Sequence, residues 1–317
     1  MRDVVSLRRA AVWLIANLAL TVVVRGAEPP VTSKPMVGVA SVASTVSDLD
    51  RAVAFYTDVL DFERFEPAES VDHSAPGESS HRSTWLRLGE EVIELRQFCK
   101  SDGRPYPDGS RSNDLWFQHL AIVVSDMQKA YQRLRAARVV HISPGPQELP
   151  EWNLAAAGIE AFYFRDPDGH PLELIAYPPG KGQAKWHADS DSLFLGIDHT
   201  AIAVSDTERA LRFYRDELGL QVVGGSENYG DEQEHLNGVF GSRVRITALR
   251  GPSGPGVELL EYIAPPGGRA PLAAVRPHDL AFRETRLSVT HPTDGTGLFE
   301  VQSIRDPDGH PVRIVRQ

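Results

Sequence analysis

The side chains best suited to chemistry in this sequence are histidines and glutamates that lie within apolar segments. His119 and His199 each open a β-prone segment, His-Leu-Ala-Ile-Val-Val and His-Thr-Ala-Ile-Ala-Val. Glu173 and Glu258 stand between aliphatic residues, in Leu-Glu-Leu and Val-Glu-Leu. Imidazole nitrogens and carboxylate oxygens bind divalent metals, and a carboxylate can also move protons. A structural interpretation stays open, because a buried histidine or glutamate with an ordinary hydrogen-bond partner has the same sequence pattern.

Other kinds of chemistry find little support in the sequence. It contains no glycine-rich phosphate loop and no nucleophile elbow, and its single cysteine, Cys99, excludes an intramolecular disulfide. The formal net charge is −10, which argues against nucleic acid or an anionic membrane as a partner. The expected partner is a small-molecule substrate or ligand, and a homo-oligomer is left open. A length of 317 residues suits about two domains.

Three similar segments indicate an internal repeat. The segments are 41–56, 119–131 and 199–214, and each is β-prone before a Ser-Asp pair and amphipathic after it. The Ser-Asp pair stands where a side chain can cap a helix N-terminus. Apolar residues then recur at helical spacing, so each segment predicts a strand followed by a helix.

A second recurring motif, Asp-Pro-Asp-Gly-His, occupies residues 166–170 and 306–310 between β-prone stretches. Proline and glycine in these places suit a tight turn between strands. The two motifs together predict a β-α-β-β-β unit that occurs four times. The four units begin near Val37, Trp116, Leu195 and Pro277. The polar stretch 179–192 contains glycine and is interpreted as a linker between two halves of two units each.

Paired β-α-β-β-β units with this helix cap and this turn resemble the vicinal-oxygen-chelate superfamily, which includes glyoxalases, bleomycin-resistance proteins and extradiol dioxygenases. The resemblance implies an α+β fold in which paired βαβββ units form cupped mixed sheets. It implies two tandem vicinal-oxygen-chelate domains, residues 36–178 and 193–317, joined by 179–192. It also implies that a cup holds a divalent metal and an oxygen-bearing substrate, with Fe, Mn, Zn, Ni and Co as the candidate metals.

In metal-using members of that family, the first and last strands of both units in a domain supply the ligands. Carried over to this chain, the positions in the first domain are Ser41, Glu94, His119 and Glu173. Those in the second domain are His199, Glu258, His278 and Arg313. The resemblance therefore implies metal ligation by His119, Glu173, Glu94, His199, Glu258 and His278, and a catalytic role for Glu173 and Glu94. Nearby competitors of the strand glutamates are Glu91 and Glu261.

The second domain departs from the family pattern in two ways. Arg313 stands where the last glutamate belongs, and a guanidinium has no lone pair to offer a metal. A direct assignment as an iron-dependent dioxygenase therefore fails for this half. The distance from His278 to Arg313 is 35 residues, against 54 for the corresponding pair in the second unit. The fourth unit is expected to be shortened, with a loop over 290–297 in place of its helix.

The N-terminus is expected to be an export signal. Arg8 and Arg9 precede the apolar stretch 10–24, which is short for a membrane span and is followed by small residues. Residues 1–26 are predicted to be a cleaved signal peptide, which implies a periplasmic or secreted protein with no stable membrane association. An uncleaved N-terminal anchor is the alternative.

Two functions are compatible with the sequence. The first is a divalent-metal-dependent lyase, isomerase or dioxygenase that acts on a small oxygen-bearing substrate. The alternative is a metal-free protein that binds and sequesters a small molecule, as in the bleomycin-resistance branch of the family. Metal content separates the two. A purely structural role, in which the second half only covers the first, is also left open.

Overall fold

The computed structural model describes most of the chain beyond its first 35 residues. The described residues are 36–66, 80–99, 102–266, 268–270, 275–290 and 302–316. The predicted signal segment, residues 1–26, lies outside them, and so does most of the loop predicted for 290–297. None of the described helices is long and apolar enough to cross a membrane.

The first half of the chain contains two β-α-β-β-β units. Unit one consists of β1 (Met36–Thr45), α1 (Leu49–Leu60), β2 (Glu63–Phe65), β3 (His81–Leu88) and β4 (Glu91–Phe98). Unit two consists of β5 (Gln118–Val124), α2 (Met127–Ala136), β6 (Val140–His141), β7 (Gln147–Glu148), β8 (Glu160–Arg165) and β9 (Pro171–Ala176). The predicted repeat unit is thus present twice before the linker.

The second half contains one full unit and one shortened unit. A 3₁₀ turn (Ala184–His187) precedes them. Unit three consists of β10 (Phe194–Val204), α3 (Thr207–Leu211) with a π-helical extension (Arg212–Glu217), β11 (Gln221–Tyr229), α4 (Asp231–Asn237), β12 (Arg243–Arg250) and β13 (Gly256–Ala264). Unit four consists of β14 (Arg283–Thr290), β15 (Gln302–Arg305) and β16 (Pro311–Arg316). Its described residues include no helix, and residues 291–301, between β14 and β15, lie outside the described part of the chain.

Three helices begin as the Ser-Asp motif predicts. The Asp48 carboxylate accepts a hydrogen bond from the backbone N–H of Arg51, and Asp126 and Asp206 cap α2 and α3 in the same way. Each cap satisfies an N–H group that has no partner within the helix. The caps therefore determine where each helix starts after the first strand of its unit.

The Asp-Pro-Asp-Gly-His turns fasten together the two units of each half. One oxygen of Asp166 accepts hydrogen bonds from the backbone N–H groups of Asp168 and His170. The other oxygen lies 2.7 Å from Nδ1 of His170 and 3.1 Å from the hydroxyl of Tyr56 on α1. The second turn makes the same contact with a tyrosine of unit three. Each turn thus connects the second unit of a half to the helix of the first.

Apolar packing behind the sheets follows the same division into halves. Tyr56 and Leu60 of unit one share a buried cluster with Phe162 and Leu174 of unit two. A second cluster combines units three and four and also takes in the start of β1. Burial of these side chains is the main stabilising contribution within each half.

Strand pairing, in contrast, joins the two halves crosswise. A seven-stranded sheet in the order β15-β16-β14-β1-β4-β3-β2 combines units one and four. A nine-stranded sheet in the order β11-β12-β13-β10-β5-β9-β8-β6, with β7 beside β8, combines units two and three. The expectation that the two units of one half line one cup is therefore wrong. The first strands pair antiparallel between halves, β1 with β14 and β5 with β10, and contacts within a half run through helices and turns.

Crosswise pairing predicts that the halves stay together when the linker is cut. A protease site inserted between Asp189 and Ser190, which are exposed, should be cleaved without separating the fragments, because two antiparallel ladders join them. Size-exclusion chromatography in native buffer should show one peak at the elution volume of the uncut protein, and two peaks only in denaturant. Two separate native peaks would contradict the pairing.

Candidate metal centre

Two central strands of the nine-stranded sheet bring two histidines to one point. β5 and β10 run antiparallel, and their register places His119 opposite Ala201 and His199 opposite Ala121. The two imidazoles are therefore diagonal neighbours on one face of the sheet. Their Nε2 atoms lie 3.4 Å apart.

Two glutamates approach this point from the flanking strands. Glu173 is on β9 beside β5, and Glu258 is on β13 beside β10. Oε2 of Glu173 is 3.0 Å from Nε2 of His119 and 3.4 Å from Nε2 of His199. Oε2 of Glu258 is also 3.4 Å from Nε2 of His199. Unit two thus contributes His119 and Glu173, and unit three contributes His199 and Glu258.

The geometry and the donor atoms of this group fit a divalent metal. The ligand atoms of His119, Glu173 and His199 all lie within 4.8 Å of one another, and the three residues are buried. Two imidazole nitrogens with carboxylate oxygen suit Fe, Mn, Zn, Ni or Co. Glu258 is more accessible, with 22% of its side chain exposed, and is placed to be a fourth ligand or to act on a bound molecule.

Asp198 orients the ring of His199. Its Oδ2 lies 3.0 Å from Nδ1 of His199, while its carboxylate accepts hydrogen bonds from Nε1 of Trp186 at 2.9 Å and from Arg250 at 2.7 Å. A carboxylate that holds the second nitrogen of a metal-binding histidine is a common feature of metal sites. Trp186 lies in the stretch interpreted as a linker, so that stretch also supports the site. Nδ1 of His119 has no hydrogen-bond partner among the described residues.

Burial and neighbouring charges shift the pKa values of these groups in different directions. Burial lowers the pKa of His119. Burial acts the same way on His199, but Glu258 and Asp198 outweigh it and raise that pKa well above its usual value. Burial tends to raise the pKa of Glu173, but hydrogen bonds to the two histidines hold it at about 2. Glu173 is therefore ionised at neutral pH, as a metal ligand must be.

A cavity of about 300 Å³ adjoins the centre. Glu173, His199 and Glu258 form part of its wall, and so does the buried side chain of Tyr163. The volume is at the lower end of the range for small-molecule sites. A compact ligand in this cavity can therefore contact the metal-binding side chains directly.

Glu94 is not part of this centre. It lies on β4 of the seven-stranded sheet and pairs with Arg96 and Arg286. Glu284 contacts three guanidiniums, those of Arg96 at 2.9 Å, Arg313 at 3.0 Å and Arg286 at 3.3 Å. The five side chains, which we call the arginine–glutamate cluster, are each at most 5% exposed. Guanidiniums cannot bind a metal and would repel one, so the expectation that Glu94 is a ligand and a catalytic carboxylate is corrected.

His278 also lies elsewhere. It precedes β14, and its Nε2 is 3.3 Å from the carboxylate of Asp102. The residue of unit four that corresponds to a ligand position is Glu284, which pairs with Ala43 as His199 pairs with Ala121. The expectation that His278 is a metal ligand is corrected accordingly.

A sequence signal could have identified this position. Asp-Leu-x-Phe occurs at residues 114–117 and again at 279–282, and its phenylalanine stands two residues before His119 and before Glu284. His278 shares its residue type with His119 and His199, whereas the aligned motif points to a position six residues further along. Residue type misleads here because the corresponding position of unit four holds a glutamate, Glu284.

Comparisons with known proteins agree with this architecture. The family model described as the Glyoxalase/Bleomycin resistance protein/Dioxygenase superfamily matches residues 38–174 and 196–314. A 2-epi-5-epi-valiolone epimerase from Actinomyces sp is 34% identical over 156 residues, which are 45% of this chain and 81% of the epimerase. A lactoylglutathione lyase from Arabidopsis thaliana is 27% identical over 185 residues, 56% of this chain and 53% of the lyase. This chain thus spans about half the length of that lyase.

The fold is also found in a solved structure. Glyoxalase I from Zea mays matches with a TM-score of 0.58 and 16% sequence identity, over 89% of this chain and 93% of the maize protein. At this identity the likeness concerns the fold alone.

Disruption of the arginine–glutamate cluster should lower the stability of the fold strongly and leave the histidine centre unchanged. Replacing Glu284 by Ala leaves the three buried guanidiniums with one carboxylate fewer, so the free energy of unfolding should fall by about 3–5 kcal/mol. Urea denaturation measures this. Glu63→Ala, which removes an exposed pair with Arg87, is the control and should cost less than about 1 kcal/mol. Equal effects of the two substitutions would show that the cluster does not stabilise the sheet.

Proposed function

This chain belongs to the Glyoxalase/Bleomycin resistance protein/Dioxygenase superfamily, and we propose that it is a divalent-metal-dependent isomerase or lyase that moves a proton next to a carbonyl group of a small molecule. The observation that carries the proposal is the convergence of His119, Glu173 and His199 beside a cavity. A purely structural role for these histidines would not explain why they lie next to a carboxylate at the wall of a cavity.

His119, Glu173 and His199 would hold the metal. Asp198 fixes the ring of His199 so that Nε2 faces the other two side chains. A bound divalent cation supplies Lewis acidity to an oxygen of the substrate. The buried surroundings exclude water and so strengthen electrostatic effects on that oxygen.

Glu258 is our candidate for the proton carrier, in the role that the family resemblance implied for Glu94. It borders the cavity and is the most exposed of the four side chains. Its carboxylate would accept the proton of a carbon next to the carbonyl and then return it. Delivery of a proton to the opposite face of the same carbon, by water or another acid on that side, would give an epimer. Return by Glu258 to the neighbouring carbon, with the hydroxyl proton passing to the carbonyl oxygen, would give an isomer. Both reactions conserve all atoms and need no oxidant.

The relatives support this class of reaction. Those compared above are an epimerase, at 34% identity, and a lactoylglutathione lyase. The four-residue centre is assembled from units two and three, so Arg313, which argued against a metal in the second half, does not lie in it.

Solvent exchange on a hydroxyketone tests the proposal. Protein loaded with Zn, Ni, Mn, Co or Fe is incubated with 2-hydroxyacetophenone in deuterium oxide, and proton NMR follows the signal of the carbon between hydroxyl and carbonyl. We expect exchange well above the protein-free rate, and its loss on chelation or with His119→Ala. Glu258→Gln should reduce the rate by about 10²–10⁴ with metal still bound, because the proton carrier is gone.

The matched control for this test is Glu148→Gln, which alters an exposed glutamate and should leave the exchange rate unchanged. Retention of the probe without exchange by a protein that takes up none of the metals would favour the metal-free sequestering function instead.

A further inference from the structure

The described residues that line the cavity include no lysine and no arginine. Glu173 and Glu258, in contrast, contribute carboxylates. A ligand with carboxylate or phosphate groups would lose its hydration there without gaining a lysine or arginine as countercharge. A divalent cation at the centre would balance the two carboxylates and leave little charge for a further anion. The electrostatics therefore favour an uncharged ligand.

Most of the wall is apolar. The larger aliphatic side chains that line it are Leu149, Ile159, Ile175, Leu236 and Ile246. Contacts of this kind are made by a hydrocarbon ring or a short carbon skeleton, and they stabilise binding by removing apolar surface from water. The body of the ligand is therefore apolar.

A chain of three side-chain amides ends at this wall. Nδ2 of Asn153 donates a hydrogen bond to Oδ1 of Asn228 at 2.6 Å, and Nδ2 of Asn228 donates to Oε1 of Gln233 at 3.1 Å. Asn228 and Gln233 line the cavity and are 3% exposed. Nε2 of Gln233 makes no hydrogen bond to another described residue. Because Gln233 lines the cavity, its Nε2 can donate a hydrogen bond to an accepting oxygen on the ligand, and that bond would stabilise this end of the site.

The amide chain is distant from the glutamates. The strand register pairs Gly224 of β11 with Ala248 of β12, and Ala248 in turn with Glu258 of β13. Asn228 lies four residues further along β11, which at about 3.4 Å per residue is roughly 13 Å along the strand. Both Gly224 and Asn228 line the cavity, so the cavity extends between these two ends.

We infer that the substrate is an uncharged hydroxyketone with an apolar, ring-sized body and a second oxygen that accepts a hydrogen bond from Gln233. The inference deepens the proposed function and rests on it for the position of the reacting carbonyl at the histidine end. Gln233 is then a residue that determines specificity. A glutathione adduct, with its carboxylates, does not fit this lining, which separates the chain from the lactoylglutathione lyases it is similar to.

Three matched probes test the inference on the metal-loaded protein by calorimetry. Methyl 4-(2-hydroxyacetyl)benzoate is uncharged and has the second oxygen, 4-(2-hydroxyacetyl)benzoate adds the charge, and 2-hydroxyacetophenone lacks the second oxygen. The methyl ester should bind at least about 10-fold more tightly than either of the others, and more tightly than S-hexylglutathione.

Substitutions of Gln233 should remove this preference selectively. Gln233→Leu should weaken binding of the methyl ester by about 10-fold and leave the affinity for 2-hydroxyacetophenone unchanged. Only the ester has an oxygen that accepts a hydrogen bond from the Gln233 amide. Gln233→Glu still accepts from Asn228 but no longer donates, so it should lose the same preference in a folded protein. Gln221→Leu, at the exposed start of β11, is the control and should change nothing.

Equal binding of the ester and the carboxylate would overturn the inference, and so would a preference for the ester that survives both Gln233 substitutions. Tighter binding of S-hexylglutathione than of the ester would do so as well. The proposed function fails separately, when the loaded protein binds the ester through Gln233 but catalyses no proton exchange.

Discussion

The antiparallel pairing of β5 with β10 is the contact on which the candidate centre depends. The two strands belong to different halves of the chain, and their register brings Nε2 of His119 to within 3.4 Å of Nε2 of His199. A shift of one residue would turn one histidine to the other face of the sheet. Helix caps and turns stabilise each half separately, but this ladder determines which ligands meet.

The two cups of the molecule share a topology and differ in their contents. In the nine-stranded sheet the corresponding positions hold two histidines and two glutamates. In the seven-stranded sheet they hold Ser41, Glu94, Glu284 and Arg313. Additional arginines at positions 96 and 286 fill that cup with buried ion pairs. One cup therefore contains the candidate metal centre, and the other contains buried ion pairs between units one and four.

Local features of the fold were predictable from the sequence, whereas the choice of strand partners was not. The capping residue Asp126 and the turn at Asp166 depend on neighbours a few residues away, so their motifs identify them. Pairing between units depends on contacts far apart in sequence, and the pattern within a unit is the same whichever unit lies beside it. For this reason the sequence comparison with the family predicts His119, Glu173, His199 and Glu258 as ligands but divides them between two sites.

The specificity residue shows a different limit of sequence analysis. Gln233 lies on α4, a short helix between β11 and β12 that has no counterpart in the described parts of the other units. The repeat therefore gives no register for it, and an isolated glutamine has no spacing that marks it as functional. Its role follows only from its burial, from its bond to Asn228 and from its place in the cavity wall.

Anomalous X-ray diffraction from crystals grown with Zn, Mn or Co tests the central claim most directly, because it locates the metal independently of activity. The account predicts one strong peak about 2.0–2.2 Å from Nε2 of His119, Nε2 of His199 and an oxygen of Glu173. A peak beside Glu94, or no peak between the histidines at saturating metal, would contradict it.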